Sequence, residues 1–175
     1  EEGAKVFITD IVDENIKRVV NEFGSEAVGP DDIYDLDVDI YAPCALGATL
    51  NDETIPNLKC SIVAGAANNQ LKVESEHGQM LKDRGILYAP DYAVNAGGLI
   101  NVANEIEGYN RERAFSQAEG IYDILLTIFK LANKENIPTH KAANMVAEKR
   151  MEDISKLKNF YLPKKNFMGK RDNNG

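Results

Sequence analysis

Three asparagines and a glutamine stand in two short runs of small residues, Gly65-Ala66-Ala67-Asn68-Asn69-Gln70 and Asn95-Ala96-Gly97-Gly98. A side-chain carboxamide carries donors and an acceptor together. Amides gathered at one loop therefore suit a ligand carboxamide or carboxylate, although the same letters also read as an asparagine-rich turn. The Gly97-Gly98 pair opens a helix. Paired glycines weaken a helix start, but they let backbone approach a ligand closely, and the helix N-terminus favours a polar or anionic group. A third run, Pro43-Cys44-Ala45-Leu46-Gly47-Ala48, is also built largely of small residues. It suits either a flat ligand lying on backbone or a tight turn. Asp10 closes the first β-forming run. An acid there accepts hydrogen bonds from ribose hydroxyls, or it simply starts the turn into the next helix. The residue alone supports both readings equally. The glycine-rich phosphate loop that lies about twenty residues upstream of such an acid is not among the residues before it.

Other chemistries find less support. Asp35, Asp37 and Asp39 have the spacing of a calcium-loop opening, but Ile40 stands where its glycine belongs and Leu46 where its glutamate belongs. His77 and His140 are far apart in sequence and read as solvated side chains. Cys44 and Cys60 lie in apolar surroundings and read as buried thiols of a reducing compartment, with a disulfide as the minor alternative. No serine-nucleophile or P-loop motif is present. A net charge of -8 disfavours nucleic acid and anionic membranes. No stretch is long and apolar enough to span a membrane, and the first residues do not form a signal peptide. A cytoplasmic protein is expected.

The elements that must position these residues alternate. Residues 4–10 read as a strand, followed by a helix that Asp13 could cap, with Ile16, Val19, Val20 and Phe23 on one face and Gly24 at its end. Residues 38–42 form a second strand and 60–64 a third, with only a brief helical turn between them. A helix over about 72–84 and a strand at 86–88 follow. Beyond Asn95 the pattern is helical. Leu99, Val102 and Ile106 share one face; Asn110 caps a long helix with a stripe running from Phe115 through Tyr122 and Phe129 to Ala132. Pro138 and Thr139 open the last helix, whose stripe includes Ala143, Val146, Met151, Ile154 and Leu157. Alternating strands and helices imply a parallel sheet with ligands at the C-terminal strand ends. The expected fold is α/β, a Rossmann-like doubly wound parallel sheet followed by C-terminal helices. Residues 1–110 would form the sheet domain, 111–162 the helices packing on it, and 163–175 a loose tail.

The segments 41–48, 64–71 and 88–98, in that order and continued by Gly108-Tyr109-Asn110-Arg111-Glu112-Arg113-Ala114, resemble the glutamate/leucine/phenylalanine/valine dehydrogenases. The likeness runs from Gly3 to about Leu162. It implies NAD-dependent oxidative deamination of an L-amino acid to a 2-oxo acid and ammonia. It further implies a cofactor site at Asp10, Ile11, Cys44, Ala45, Ala67, Asn68 and Asn95. Asp10 would hold the adenosine ribose and favour NAD over NADP, Cys44-Ala45 would line the adenosine side, and Asn68 and Asn95 would meet the nicotinamide. The substrate would touch Asn68, Leu99 and Val102. In the glutamate dehydrogenases of this family the position matching Val102 is typically a serine that binds the distal carboxylate. A carboxylate buried without a partner costs several kcal/mol, so an apolar substrate is implied: L-leucine or another branched-chain amino acid, with phenylalanine or valine as alternatives. The family also implies a homo-oligomer.

By the same resemblance, the catalytic lysines and aspartate and the first sheet strand with its glycine loop would lie upstream, in a substrate domain that these residues do not contain. No residue of this chain is then expected to be catalytic, and Lys72 and Lys82, on a polar helix, are no substitutes. The expectation is a sheet lacking its first strand, in which the strands at 4–10 and 38–42 have no hydrogen-bonded path to the strand at 60–64. The chain would be inactive alone, as the C-terminal part of a longer enzyme or with a partner segment missing. The other reading is a non-catalytic nucleotide-binding or assembly module.

Overall fold

The computed structural model describes residues 3–106 and 108–158. The expected tail at 163–175 and the side chain of Leu157 fall outside the described residues. Among the described residues five strands are all paired in parallel: β1 (Phe7–Ile8), β2 (Glu26–Ala27), β3 (Ile40–Tyr41), β4 (Ile62–Val63) and β5 (Leu87–Tyr88). The α-helices of the described residues are α1 (Asp13–Phe23), α2 (Glu74–Asp83), α3 (Asp91–Val94), α4 (Gly97–Ile106), α5 (Arg111–Glu119), α6 (Ile121–Glu135) and α7 (Thr139–Lys158). Among the described residues no helix is long and apolar enough to cross a membrane.

The strands form two sheets. β1 pairs with β2, and β3, β4 and β5 follow one another in chain order. The strand at 26–27 was not expected. It takes the place beside β1, with Phe7 opposite Glu26 and Ile8 opposite Ala27. The expected isolation of the 38–42 strand is therefore overturned: Ile40 lies opposite Ile62 and Tyr41 opposite Val63. The division falls between β1–β2 and β3–β4–β5.

The larger core belongs to the second sheet. Leu50, Ile55, Leu58, Cys60, Val63, Leu81, Ile86 and Tyr88 are buried together, each large aliphatic side chain contributing about 1.5–3 kcal/mol. α2 carries Leu81 onto this core, and the Arg84 guanidinium donates to Leu58 O at 2.6 Å. A second cluster of Ile128, Ala132, Ala142 and Ala143 joins α6 to α7. The long helix expected after Asn110 is divided at Gly120 into α5 and α6. Phe115 and Tyr122, on either side of that division, are exposed rather than part of a continuous buried stripe. The Asn110 cap is present, its side chain accepting from the Arg113 N–H at 2.9 Å. Asp13 lies inside the first turn of α1 and does not cap it; Val12 is the capping residue.

Both histidines are buried, against the expectation that water would surround them. His77 Nδ1 accepts the Val73 N–H at 2.8 Å, bonding an orphan donor at the start of α2. His140 lies against Gly78, where a Cβ would overlap its ring. Neither belongs to a metal cluster among the described residues. The cysteines are free, Cys60 buried as expected and Cys44 exposed, because the 43–48 loop lies on the surface.

Candidate functional site

The loops after β3 and β4 interlock because two glycines leave room for it. A Cβ on Gly65 would overlap the carbonyl oxygen and ring of Pro43. A Cβ on Gly47 would stand 2.9 Å from the backbone oxygens of Asn68 and Asn69. Through these contacts the Ala67 N–H reaches Pro43 O at 2.9 Å and the Ala48 N–H reaches Asn69 O at 2.7 Å. Ala48 and Asn69 both take left-handed backbone, φ 60° and 52°, a conformation asparagine tolerates better than alanine. Asn95 follows α3, which begins after β5 and Pro90, and its N–H bonds to Asp91 O.

These loops bring Asn68 and Asn95 together, although 27 positions separate them. Asn95 Nδ2 donates to Asn68 Oδ1 at 2.6 Å and to Ala66 O at 3.3 Å. Turning the Asn95 amide over would set its oxygen against two acceptors, so the network fixes its orientation. The pair then has a defined polarity. Its inward contact uses the Asn95 donor group and the Asn68 acceptor. What it offers outward is the Asn68 Nδ2 donor and the Asn95 Oδ1 acceptor, neither bonded among the described residues. One donor beside one acceptor complements a primary carboxamide, such as that of nicotinamide.

Asp10 has a structural task. Its Oδ1 accepts the Val12 N–H at 2.9 Å and its Oδ2 accepts from Asn15 Nδ2 at 3.2 Å, leading the chain into α1. The turn-starting role is thus present, while the carboxylate stays exposed with lone pairs to spare. Ile11 beside it is exposed, as are Cys44 and Ala45 on the 43–48 loop. Ala67 is buried, its N–H already given to Pro43. On α4, Leu99 and Val102 are 74% and 53% exposed. A cleft of about 150 Å³ between α4 and α5 is lined by Gly97, Asn101, Tyr109, Ala114, Phe115 and Ala118, and does not include them. A larger one of about 270 Å³, between α2, β5 and the α6–α7 turn, holds none of the expected site residues.

Behind the loops the walls are closed. Tyr88 and Asp91 are buried, and the Tyr88 hydroxyl donates to Asp91 Oδ1 at 3.3 Å. Burial, reinforced by the adjacent Asp91 charge, holds the Tyr88 hydroxyl protonated well above its ordinary range. Burial also raises the Cys60 thiol. Neither group is poised to exchange protons near neutrality.

Gln70, Gly47 and Gly65 matter more than the sequence reading indicated. Gln70 Nε2 donates to Gly65 O at 2.8 Å and to Ala67 O at 2.9 Å from a buried position. The sequence signal was there in part: a glutamine at the end of a small-residue loop is long enough to reach back across it.

Residues 5–158 match the sequence profile of the Glutamate/Leucine/Phenylalanine/Valine dehydrogenases. The chain is 58% identical over 161 residues to a leucine dehydrogenase from Thermoactinomyces intermedius, covering 92% of this chain and 44% of that protein. It is 51% identical over 158 residues to an L-tryptophan dehydrogenase from Nostoc punctiforme, covering 90% and 45%. The crystal structure of L-tryptophan dehydrogenase from Nostoc punctiforme superposes with a TM-score of 0.84 at 52% identity, covering 85% of this chain and 45% of that one. A hetero-hexameric glutamate dehydrogenase from Thermus thermophilus, 17% identical, shares the fold with a TM-score of 0.62 over 85% of this chain and 38% of that one. The chain spans under half the length of these relatives. The fold is the Rossmann-like α/β arrangement of amino-acid dehydrogenases, and the chain belongs to the glutamate/leucine/phenylalanine/valine dehydrogenase family.

Proposed function

We propose that this chain is the NAD-binding part of an amino-acid dehydrogenase that oxidatively deaminates L-leucine or another branched-chain amino acid to its 2-oxo acid and ammonia. The observation that carries the reading is the Asn68–Asn95 pair, whose outward donor and acceptor fit a nicotinamide carboxamide. The residues present fit the cofactor. When bound, NAD supplies the hydride acceptor. This chain's part would be to bind and orient: the amide pair would fix the ring's rotation, the loop at Cys44-Ala45 would line the adenosine side, and Asp10 would accept from the ribose hydroxyls. The Asp10 carboxylate would repel a 2′-phosphate, which favours NAD over NADP. Ile11 and Ala67 complete the cofactor wall. The proton-abstracting lysine is assigned to a segment outside this chain.

The apolar side chains of Leu99 and Val102 support an apolar substrate, with Asn68 reaching its polar end. An aromatic substrate is the second reading, favoured by the 51% identity to an L-tryptophan dehydrogenase and the 44% identity to a phenylalanine dehydrogenase. The exposed apolar residues Phe115, Tyr122, Met151 and Ile154 support association with further copies or with a substrate domain. The free thiols are in keeping with a cytoplasmic setting. Steady-state rates of the full-length protein with NAD and Leu, Ile, Val, Phe, Trp or Glu test the proposal. The expected result is turnover of leucine well above glutamate; a preference for glutamate would overturn the Val102 assignment, and no turnover of any of them the enzyme reading.

A further inference from the structure

The loop that carries Asn68 is held from both sides in an alternating way. The carbonyls of Gly65 and Ala67 turn inward, and both are taken by the two hydrogens of Gln70 Nε2. The carbonyl between them, Ala66 O, turns outward and takes Asn95 Nδ2. Gln70 is 0% exposed, and its own backbone is pinned by the Leu50 N–H at 3.0 Å. Its Oε1 has no partner among the described residues. An apolar side chain of similar size would avoid that orphaned oxygen. What it would lose is the donor group that spans positions 65 and 67.

We infer that Gln70 is a positioning residue for nicotinamide recognition, acting through Ala66 O and the Asn68–Asn95 pair. The inference rests on the NAD reading above. By drawing the 65 and 67 carbonyls in, the Gln70 carboxamide aims the 66 carbonyl at Asn95. That carbonyl in turn decides which way the Asn95 amide faces, and so which atoms the pair offers a ligand. Gln70 touches no ligand atom in this scheme. Its loss frees the carbonyls of Gly65 and Ala67, on either side of a 66–67 peptide then held only by the Ala67 N–H to Pro43 O and by Asn95, and the donor–acceptor order at the surface loosens with them.

The test compares two probes that differ at the nicotinamide end. Dissociation constants of NAD and of ADP-ribose, which lacks the nicotinamide, are measured calorimetrically with the full-length protein. The wild type is expected to prefer NAD. Gln70→Leu is expected to cut that preference about tenfold, the scale of losing hydrogen bonds to a buried polar group, while ADP-ribose affinity stays within about twofold. In an Asn95→Ala background the same substitution should add nothing. A merely structural role would weaken both probes together, or add its effect in that background, and either result overturns the inference. A wild type blind to the difference overturns the NAD reading, and this one with it. A wild type that prefers NAD and a Gln70→Leu variant that keeps the preference overturn the Gln70 assignment alone. A measurement without substitution guards against misfolding. The Gln70 side-chain amide should exchange slowly with solvent and hold its resonance on NAD addition, while those of Asn68 and Asn95 shift. A freely exchanging Gln70 amide would sink the proposal.

Discussion

The chain builds parallel strand–helix–strand arrangements in two places, and only one has a core. The β3–β4–β5 sheet rests on Ile55, Val63, Leu81 and Tyr88, all buried. The β1–α1–β2 unit has no buried residue in its helix, and Phe23 on its apolar face is 73% exposed. The same alternation of elements is present in both, so pattern alone does not create burial. An apolar stripe becomes core only where another element covers it. The contrast also separates the two ends of the proposed cofactor site. The amide pair stands on loops fixed by glycine contacts and buried hydrogen bonds, whereas Asp10 stands on the thin unit.

The first way to break this comparison is to truncate one apolar residue in each region. Leu81→Ala should cost about 2–5 kcal/mol by urea denaturation, as for other fully buried leucines. Phe23→Ala, away from any packing, should change stability by no more than about 0.5 kcal/mol. Similar losses at both would erase the distinction.

A smaller effect should appear with pH. His140 packs on Gly78 between α2 and α7, and burial holds its pKa below the ordinary 6.5; Lys141 pushes in the same direction and Glu74 opposes it. A group lowered in the folded state binds protons more readily when unfolded. The stability it preserves is complete above pH 6.5 and is lost as pH falls through the folded value. His140→Gln should therefore flatten the pH dependence of the denaturation midpoint between about pH 5 and 7.5, and an unchanged slope would remove His140 from the account. The smallest stability change is expected at Asp10→Ser, whose hydroxyl can still accept the Val12 N–H, at about 0.5 kcal/mol or less. The same variant should raise the ratio of NADP to NAD efficiency in the full-length protein. An unchanged ratio would leave Asp10 with the turn alone.

Much of the fold was legible because it is written in local pattern. The expected strands ending at Asp10, Ala42, Ala64 and Tyr88 were marked by β-formers stopped by acids, prolines or small residues, and Gly24 ends α1 with φ 67° as a glycine there should. β2 escaped notice because Glu26–Ala27 is only two residues long and carries no β-former. Its existence depends on β1 accepting it. Gly120 was legible as a residue but not as a division, since helix runs up to it on both sides. Burial of His77 and His140 was not legible at all. It follows from which helix faces meet, and a glycine such as Gly78 inside a helix was the available clue to a close approach. For the site, the amide loops could be named from composition. The polarity of the Asn68–Asn95 pair could not, because it is set by Ala66 O and Gln70, through bonds that exist only once the loops have closed.

The contact of Gly78 with His140 also constrains the order in which the chain can change. Any side chain at position 78 meets the imidazole. A Gly78→Ala substitution arriving first would have to push α2 and α7 apart, whereas the same substitution after His140 has become smaller meets no such obstacle. The two positions, on helices 56 residues or more apart along the chain, are thus joined in one direction only. Reducing position 140 before enlarging position 78 is the order that meets no overlap.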